Sequence, residues 1–376
     1  MTPRQRYIET LTFGQVDKIP FQPGGPREST VANWHKQGLP AGANWREYLL
    51  ETLGVADDPP KLAKVPVGVH FEMIPPFEEK VLEHRDGHYV VQDWKGNICE
   101  ISDQFDLSYL RAAKDFVTRR WIKCPVETRD DWEQMKTRYR ADSAGRFPAD
   151  FAERAEKIKH RDYVSGYGVV AGPFWQLREW CGFENLCIMM IEQPDFVAEM
   201  AGFWTDFVAG MLERVVRHVA PDVLFFSEDM AYKAKAMISP AMTRQFCKPA
   251  WDRWTAIVRK AGTPIVDVDS DGYVGELIPI WIESGINVTN PMEVAAQNDI
   301  AEYRRIYGNK MAFRGGVDKR AMAKGGSVIR AEMKRIEPVV RGGGYIPGCD
   351  HGVPSDVSWP AFLEYARILA QMTGWL

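Results

Sequence analysis

Eight short apolar runs with β character, most of them followed by an amphipathic stretch, constrain this chain more than any other feature. They fall at 19–22 (I-P-F-Q), 65–71 (V-P-V-G-V-H-F), 163–170 (Y-V-S-G-Y-G-V-V), 222–226 (D-V-L-F-F), 264–268 (P-I-V-D-V), 286–289 (I-N-V-T), 311–314 (M-A-F-R) and 344–346 (G-Y-I). Strands that alternate with helical stretches predict parallel βα units. The clearest unit spans 222–268. There Ser239-Pro240 supplies an N-cap and a first-turn proline, Phe246, Trp254, Ile257 and Val258 recur at helical spacing, and Gly262 stops the helix. Pro249 predicts a kink inside that helix. Eight such units make an α/β fold, a single (β/α)8 TIM barrel, whose active site would lie at the C-terminal strand ends. Residues 72–160 exceed what one crossover needs. The segment H-Y-V-V-Q-D-W-K-G-N-I-C-E-I reads as a hairpin turning at Lys95-Gly96-Asn97. The expectation is one barrel domain over 1–376, with a helical and hairpin insertion after the second strand.

Composition narrows the function classes. Apolar residues make up 45% and charged residues 26% of 376, enough for a large core. A net charge of −4 argues against nucleic acid as the main partner. No apolar run of spanning length occurs, and the polar start M-T-P-R-Q-R-Y lacks a signal-peptide pattern. The six cysteines form no C-x-x-C pair. Together these lead to the expectation of a cytoplasmic protein with reduced thiols and no membrane contact. Thirteen tryptophans exceed the usual count, and core packing accounts for most of them.

Chemistry gathers after the apolar runs. Residues 266–272, V-D-V-D-S-D-G, begin like a calcium loop, but Ile278 stands where the twelfth-position glutamate is required. The stretch is therefore a strand ending in carboxylates, with Asp267, Asp269 and Asp271 on one face while the strand stays regular. Other strand ends add Ser227-Glu228-Asp229, Glu293, Arg314, Asp318 and Lys319, Cys349-Asp350-His351, and Arg27-Glu28. A converging ring of acids can hold a metal, raise carboxylate pKa values by mutual repulsion, or do both. The plainer alternatives are structural. Acids after strands cap the next helix, as Asp318 is expected to do ahead of K-R-A-M-A-K; Arg27 pairs with an acid; and Cys349 is a small buried hydrophobe. His351, between glycine-rich turns at a barrel end, reads as functional.

Several stretches carry a resemblance over nearly the whole chain. They are I-P-F…P-R-E-S-T, A-G-P-F-W-Q-L-R-E-W-C-G-F-E-N, F-F-S-E-D-M-A-Y-K…I-S-P-A-M, D-S-D-G…G-I-N-V-T-N-P-M-E-V, F-R-G-G-V-D-K-R and G-G-Y-I-P-G-C-D-H-G-V-P. Together they resemble the uroporphyrinogen decarboxylase superfamily, which includes corrinoid- and coenzyme M-linked methyltransferases and implies the (β/α)8 barrel. His351 matches the decarboxylases' late G-H-G, but their M-R-Q-A-G-R is replaced by a stretch with Arg27 followed by Glu28. Cys349 matches the late zinc cysteine of the coenzyme M enzymes, whereas Asp267-Val268-Asp269 stands where their H-x-C is expected. Hard carboxylates in that place suit an oxygen substrate better than a thiolate.

The resemblance thus implies a corrinoid-dependent methyltransferase, the O-demethylase component that moves a methyl group from a small methoxylated, aromatic compound to a corrinoid protein. Two alternatives stay open: a decarboxylase of a tetrapyrrole or small acid, and a non-catalytic barrel that binds a corrinoid or tetrapyrrole. The catalytic set expected is His351, Asp267, Asp269 and Asp229. Arg27, Glu228, Phe174, Trp175, Trp180 and Glu293 are expected to bind substrate. Cys349, Asp267 and Asp269 are the expected ligands of zinc. A homodimer stays open.

Overall fold

The computed structural model describes residues 1–55, 65–112, 115 and 117–376. Its strands are β1 (Val65–Pro66), β2 (Lys80–Arg85), β3 (His88–Gln92), β4 (Ile98–Ser102), β5 (Arg120–Lys123), β6 (Ser165–Ala171), β7 (Val223–Ser227), β8 (Ile265–Asp269), β9 (Val288–Asn290), β10 (Ala312–Val317) and β11 (Tyr345–Cys349). Seven of them form one parallel sheet in the order β1-β6-β7-β8-β9-β10-β11, with helices on its outer side, the (β/α)8 barrel architecture. Apart from the inserted β2–β5, neighbouring strands in this sheet follow one another in sequence. Register sets Asp267 beside Phe225 and Val288, Asp269 beside Ser227 and Asn290, and Arg314 beside Ile346.

The first expected strand differs from the rest. Residues 19–26 run beside the end of β11, with Cys349 N donating to Pro23 O at 3.3 Å and Val353 N to Gly25 O at 2.9 Å, but they form only an isolated bridge, Pro26 with Val353. Pro20, Pro23 and Pro26 lack the N–H groups that a ladder needs, so the chain is extended here without being a sheet strand.

The N-terminal end of the barrel is closed by the helix Pro3–Leu11, started by a Thr2–Gln5 capping box. Its Tyr7 and Leu11 pack on Val164, Val223, Ile265, Val288, Ala312 and Ile346, residues at or just before the starts of successive strands. Arg4 on this helix reaches the buried Asp222, which also takes Arg161 and the amide of Ser165. The far end of the chain arrives at the same place: Ile19 N donates to Thr373 O, and Trp375 Nε1 donates to Ile19 O at 2.7 Å.

The stretch after β7 forms two helices, Pro240–Phe246 and Lys248–Lys260, instead of one kinked helix. Ser239 caps the first by accepting from Met242 N, as expected. Pro249 sits in the first turn of the second, where its missing N–H leaves no hydrogen bond unmade. Between β1 and β6 lies the antiparallel sheet β2-β3-β4-β5. Its β3–β4 turn is organised by Asp93, whose carboxylate accepts from Lys95 N and Asn97 N. Among the described residues, no helix is long and apolar enough to cross a membrane.

Candidate functional site

Period-two alternation aims every second side chain of β8 into the barrel, and Asp267 and Asp269 meet different surroundings there. Asp267 is fully buried. Arg314 Nη1 donates to one of its oxygens at 2.6 Å and Asn290 Nδ2 to the other at 2.8 Å. Asp269, nearer the mouth, accepts from Ser227 Oγ at 2.9 Å. Burial, with Asp271 adding repulsion, pushes the Asp269 carboxyl up to about 7. Asp271 lies just past the strand and meets His351 Nε2 at 3.2 Å, and this bond raises the imidazole pKa against the effect of burial. On the other side of that ring, Arg27 Nη2 stands 3.5 Å from His351 Nδ1. A guanidinium can only donate, so this contact leaves Nδ1 as acceptor and puts the neutral imidazole's proton on Nε2, toward Asp271.

The remaining expected residues are distributed around this centre. Asp229, at φ 40, is in the left-handed region, and Arg178 grips both its carboxylate and its carbonyl at 2.9 Å. Burial raises the Asp229 pKa against the pull of Arg178. Glu293 joins two loops, accepting from Gly272 N at 3.0 Å and from Lys319 Nζ at 2.8 Å. Gly272 has φ +81, and a Cβ there would lie 2.4 Å from Ala231 O, so the turn after the aspartates requires glycine. Asp318 caps the helix Lys319–Lys324, as expected.

Glu228 is placed differently from a substrate-binding residue. It is fully buried and accepts from Phe174 N, Trp175 N and Trp251 Nε1, so it caps the helix Pro173–Cys181. Burial pushes its carboxyl up to about 8. Phe174 and Trp180 are likewise buried in the core, Trp180 at the edge of a cavity that Trp175 also lines.

The zinc donors do not fit. Both Asp267 oxygens are engaged by Arg314 and Asn290, so neither is open to a metal while that pair holds. Among the described residues, no group of three or more His, Cys, Asp and Glu side chains is placed to hold a metal ion.

Two cavities meet at Val169, a β6 residue that is 69% exposed because the barrel interior beside it is hollow. One, of about 270 Å³, is walled by Phe71, Tyr139, Trp175, Trp180 and Trp204, and by Trp94 and Lys95 from the β3–β4 turn. Lys95 pairs with Glu179 at 2.7 Å, which ties the hairpin tip to the barrel's helix layer. The other, of about 460 Å³, descends the barrel past Val169 and Phe225 to Tyr7, Asn290 and Arg314. A third hollow, at the mouth, is lined by Gly24, Gly25, Gly315 and Gly348 with Trp45 and Arg46 at its edge.

Sequence reasoning missed Tyr7, Ser227, Trp94 and Lys95 as parts of these walls, and left Arg314 without a role. An arginine inside the apolar run M-A-F-R-G-G-V was the one local signal for Arg314, because a charge in a buried strand needs a partner across the barrel.

A search of curated proteins finds no match to this chain. Among solved structures, a methyltransferase from Methanosarcina mazei superposes over 99% of this chain and 98% of its own at 13% identity, with a TM-score of 0.56, a likeness of fold. A B12-independent methionine synthase from Shewanella sp. W3-18-1 aligns with 61% of this chain and 67% of its own at 13% identity and a TM-score of 0.36, a partial likeness. The uroporphyrinogen decarboxylase (URO-D) family matches residues 120–363, well over half the chain and six of the seven parallel strands. This chain belongs to the uroporphyrinogen decarboxylase family.

Proposed function

We propose that this protein is a corrinoid-linked methyltransferase that removes the methyl group from a small methoxylated aromatic compound, with one barrel domain over 1–376 and residues 72–160 inserted in it. The observation that carries the reading is Asp269, a carboxyl raised to about 7 at the end of a barrel strand and bonded to Ser227, which lines a cavity with aromatic walls. An aryl ether is a poor methyl donor because its leaving oxygen would depart as a basic phenoxide (pKa about 10 by the tyrosine reference). A protonated carboxyl that can give up its proton near neutral pH meets that need. Trp175, Trp180 and Trp94 hold the substrate ring, and the cavity excludes water from it. As the methyl–oxygen bond breaks, its electron pair stays on oxygen and Asp269 delivers a proton there. His351, oriented by Asp271, and Asp229, oriented by Arg178, complete the polar mouth.

A reduced corrinoid on a partner protein supplies the nucleophile that accepts the methyl group. A large flat ring would approach at the hollow of the mouth, where a side chain at Gly25 would enter open space.

A tetrapyrrole with many carboxylates fits less well, because Asp229, Asp269, Asp271 and Glu293 face each other across the mouth. The test is a methyl-transfer assay with cob(I)alamin and a panel of methoxyaromatics, with carbon dioxide release followed in parallel. Methyl transfer is expected. Carbon dioxide release from carboxylated compounds without methyl transfer would overturn the proposal in favour of a decarboxylase.

A further inference from the structure

We propose that Ser227 is the last link of a proton relay, its hydroxyl passing a proton to the leaving oxygen of the substrate as it takes one from Asp269. The relay deepens the proposed function and rests on it for the reaction, while the serine's place between carboxyl and cavity is fixed by strand register.

The aromatic cavity is the seat of the substrate ring, and its walls include Ser227 but not Asp269. Strand pairing gives the reason. Ala171 of β6, Ser227 of β7 and Asp269 of β8 are paired at one level across successive strands, and the first two line the cavity. The carboxyl therefore starts one strand further round the barrel than the serine, roughly 4.8 Å by the spacing of neighbouring strands. Ser227 Oγ bridges that step with a bond to Asp269 at 2.9 Å, the only hydrogen bond of this hydroxyl among the described residues. A hydroxyl has one donor and two acceptor sites, so it has bonds left to make toward the ring.

The backbone holds both side chains in place. Gly172 N donates to Ser227 O at 2.7 Å and Glu228 N to Asp269 O at 2.8 Å, so the pair stands on strands rather than on a loop. Other polar groups on the cavity wall are turned to one another. Lys95 pairs with Glu179 at 2.7 Å, and Tyr139 Oη accepts from Gln176 and Trp180.

When Asp269 is ionised, Ser227 donates to it. When Asp269 is protonated, the same contact reverses: the carboxyl donates to Oγ, and the serine's own proton can turn into the cavity. As the reduced corrinoid of the partner takes the methyl group, the methyl–oxygen bond breaks and its electron pair stays on oxygen. That oxygen takes the Ser227 proton and Ser227 takes the Asp269 proton. The products are a phenol, an unchanged serine and a carboxylate that solvent protonates again. The Asp269 carboxyl, raised to about 7 by burial, has that proton to give near neutral pH.

The test follows methyl transfer to cob(I)alamin by the whole protein from two ethers, methoxybenzene and 4-methoxybenzonitrile. The nitrile draws charge off the leaving oxygen, so the second ether depends less on a proton. Ser227→Ala is expected to lose about 10²-fold in rate on methoxybenzene, at the low end for general acid catalysis, and only about ten-fold on the nitrile. Ser227→Thr keeps a hydroxyl and should recover most of the rate. Ser227→Ala combined with Asp269→Asn should be no slower than the slower single variant, because a relay fails once either link is gone. Equal losses on the two ethers would make Ser227 a wall that merely holds Asp269, and an unchanged rate on methoxybenzene would remove it altogether. Either result overturns the relay and leaves the reaction standing. A parent protein that demethylates neither ether sinks the reaction, and the relay with it.

Discussion

Asp267 and Asp269 are two positions apart on one strand, and their neighbours give them opposite tasks. Asp267 is held by a guanidinium and an amide, whereas Asp269 has one serine and a ring of other acids. The sign of the second effect is testable. A carboxyl raised to about 7 in the fold stabilises it fully below the ordinary carboxylate pKa, and that contribution is lost as pH rises toward and through 7. Melting curves of Asp269→Asn against the parent should therefore show the parent's advantage shrinking, or its deficit growing, between about pH 4 and pH 7. Methyl transfer in the parent should fall as pH rises through the same upper limit, and Asp269→Asn should lose roughly 10²- to 10⁴-fold in rate. A flat pH profile would remove Asp269 as the proton donor. The sequence already displayed both aspartates at a strand end. It could not display the difference between them, which is set by Arg314, Asn290 and Ser227 from three other strands.

At the level of elements, the helix Pro173–Cys181 shows how one acid can be misassigned by position alone. Glu228 follows β7 where a barrel's functional residues gather, yet its oxygens close the helix N-terminus and receive Trp251. Glu228→Ala should cost about 2–4 kcal/mol in urea unfolding, the sum of a lost cap and a buried indole N–H left bare. Little loss would free Glu228 for another role. Parallel strands were legible because strands buried on both faces read as unbroken apolar runs. The proline-rich stretch 19–26 shared that apolar character without the amides to pair, which is why it alone misled. The hairpin after β3 was legible from its turn residues. Its reach to Glu179 and the aromatic cavity was not, because that depends on the docking of the whole inserted sheet.

For the whole molecule, the critical joint is the barrel floor. Asp222 gathers Arg4, Arg161 and the Ser165 amide while almost fully buried, and against the effect of burial those bonds keep its carboxyl below the usual range. Its stabilisation is present above the unfolded carboxylate pKa and lost as pH falls through the lower folded one. Asp222→Ala, which leaves two guanidinium groups facing an apolar layer, should cost about 3–5 kcal/mol by denaturant titration, and a loss under 1 kcal/mol would refute the joint. The same floor takes in the last helix's end, with Ile19 held by both Thr373 and Trp375. Tyr7 and Leu11 of the first helix rest on residues from β7 to β11, so a nascent chain must carry that helix without its full seat until β11 has emerged. Synthesis order thus makes an early segment one of the last to settle.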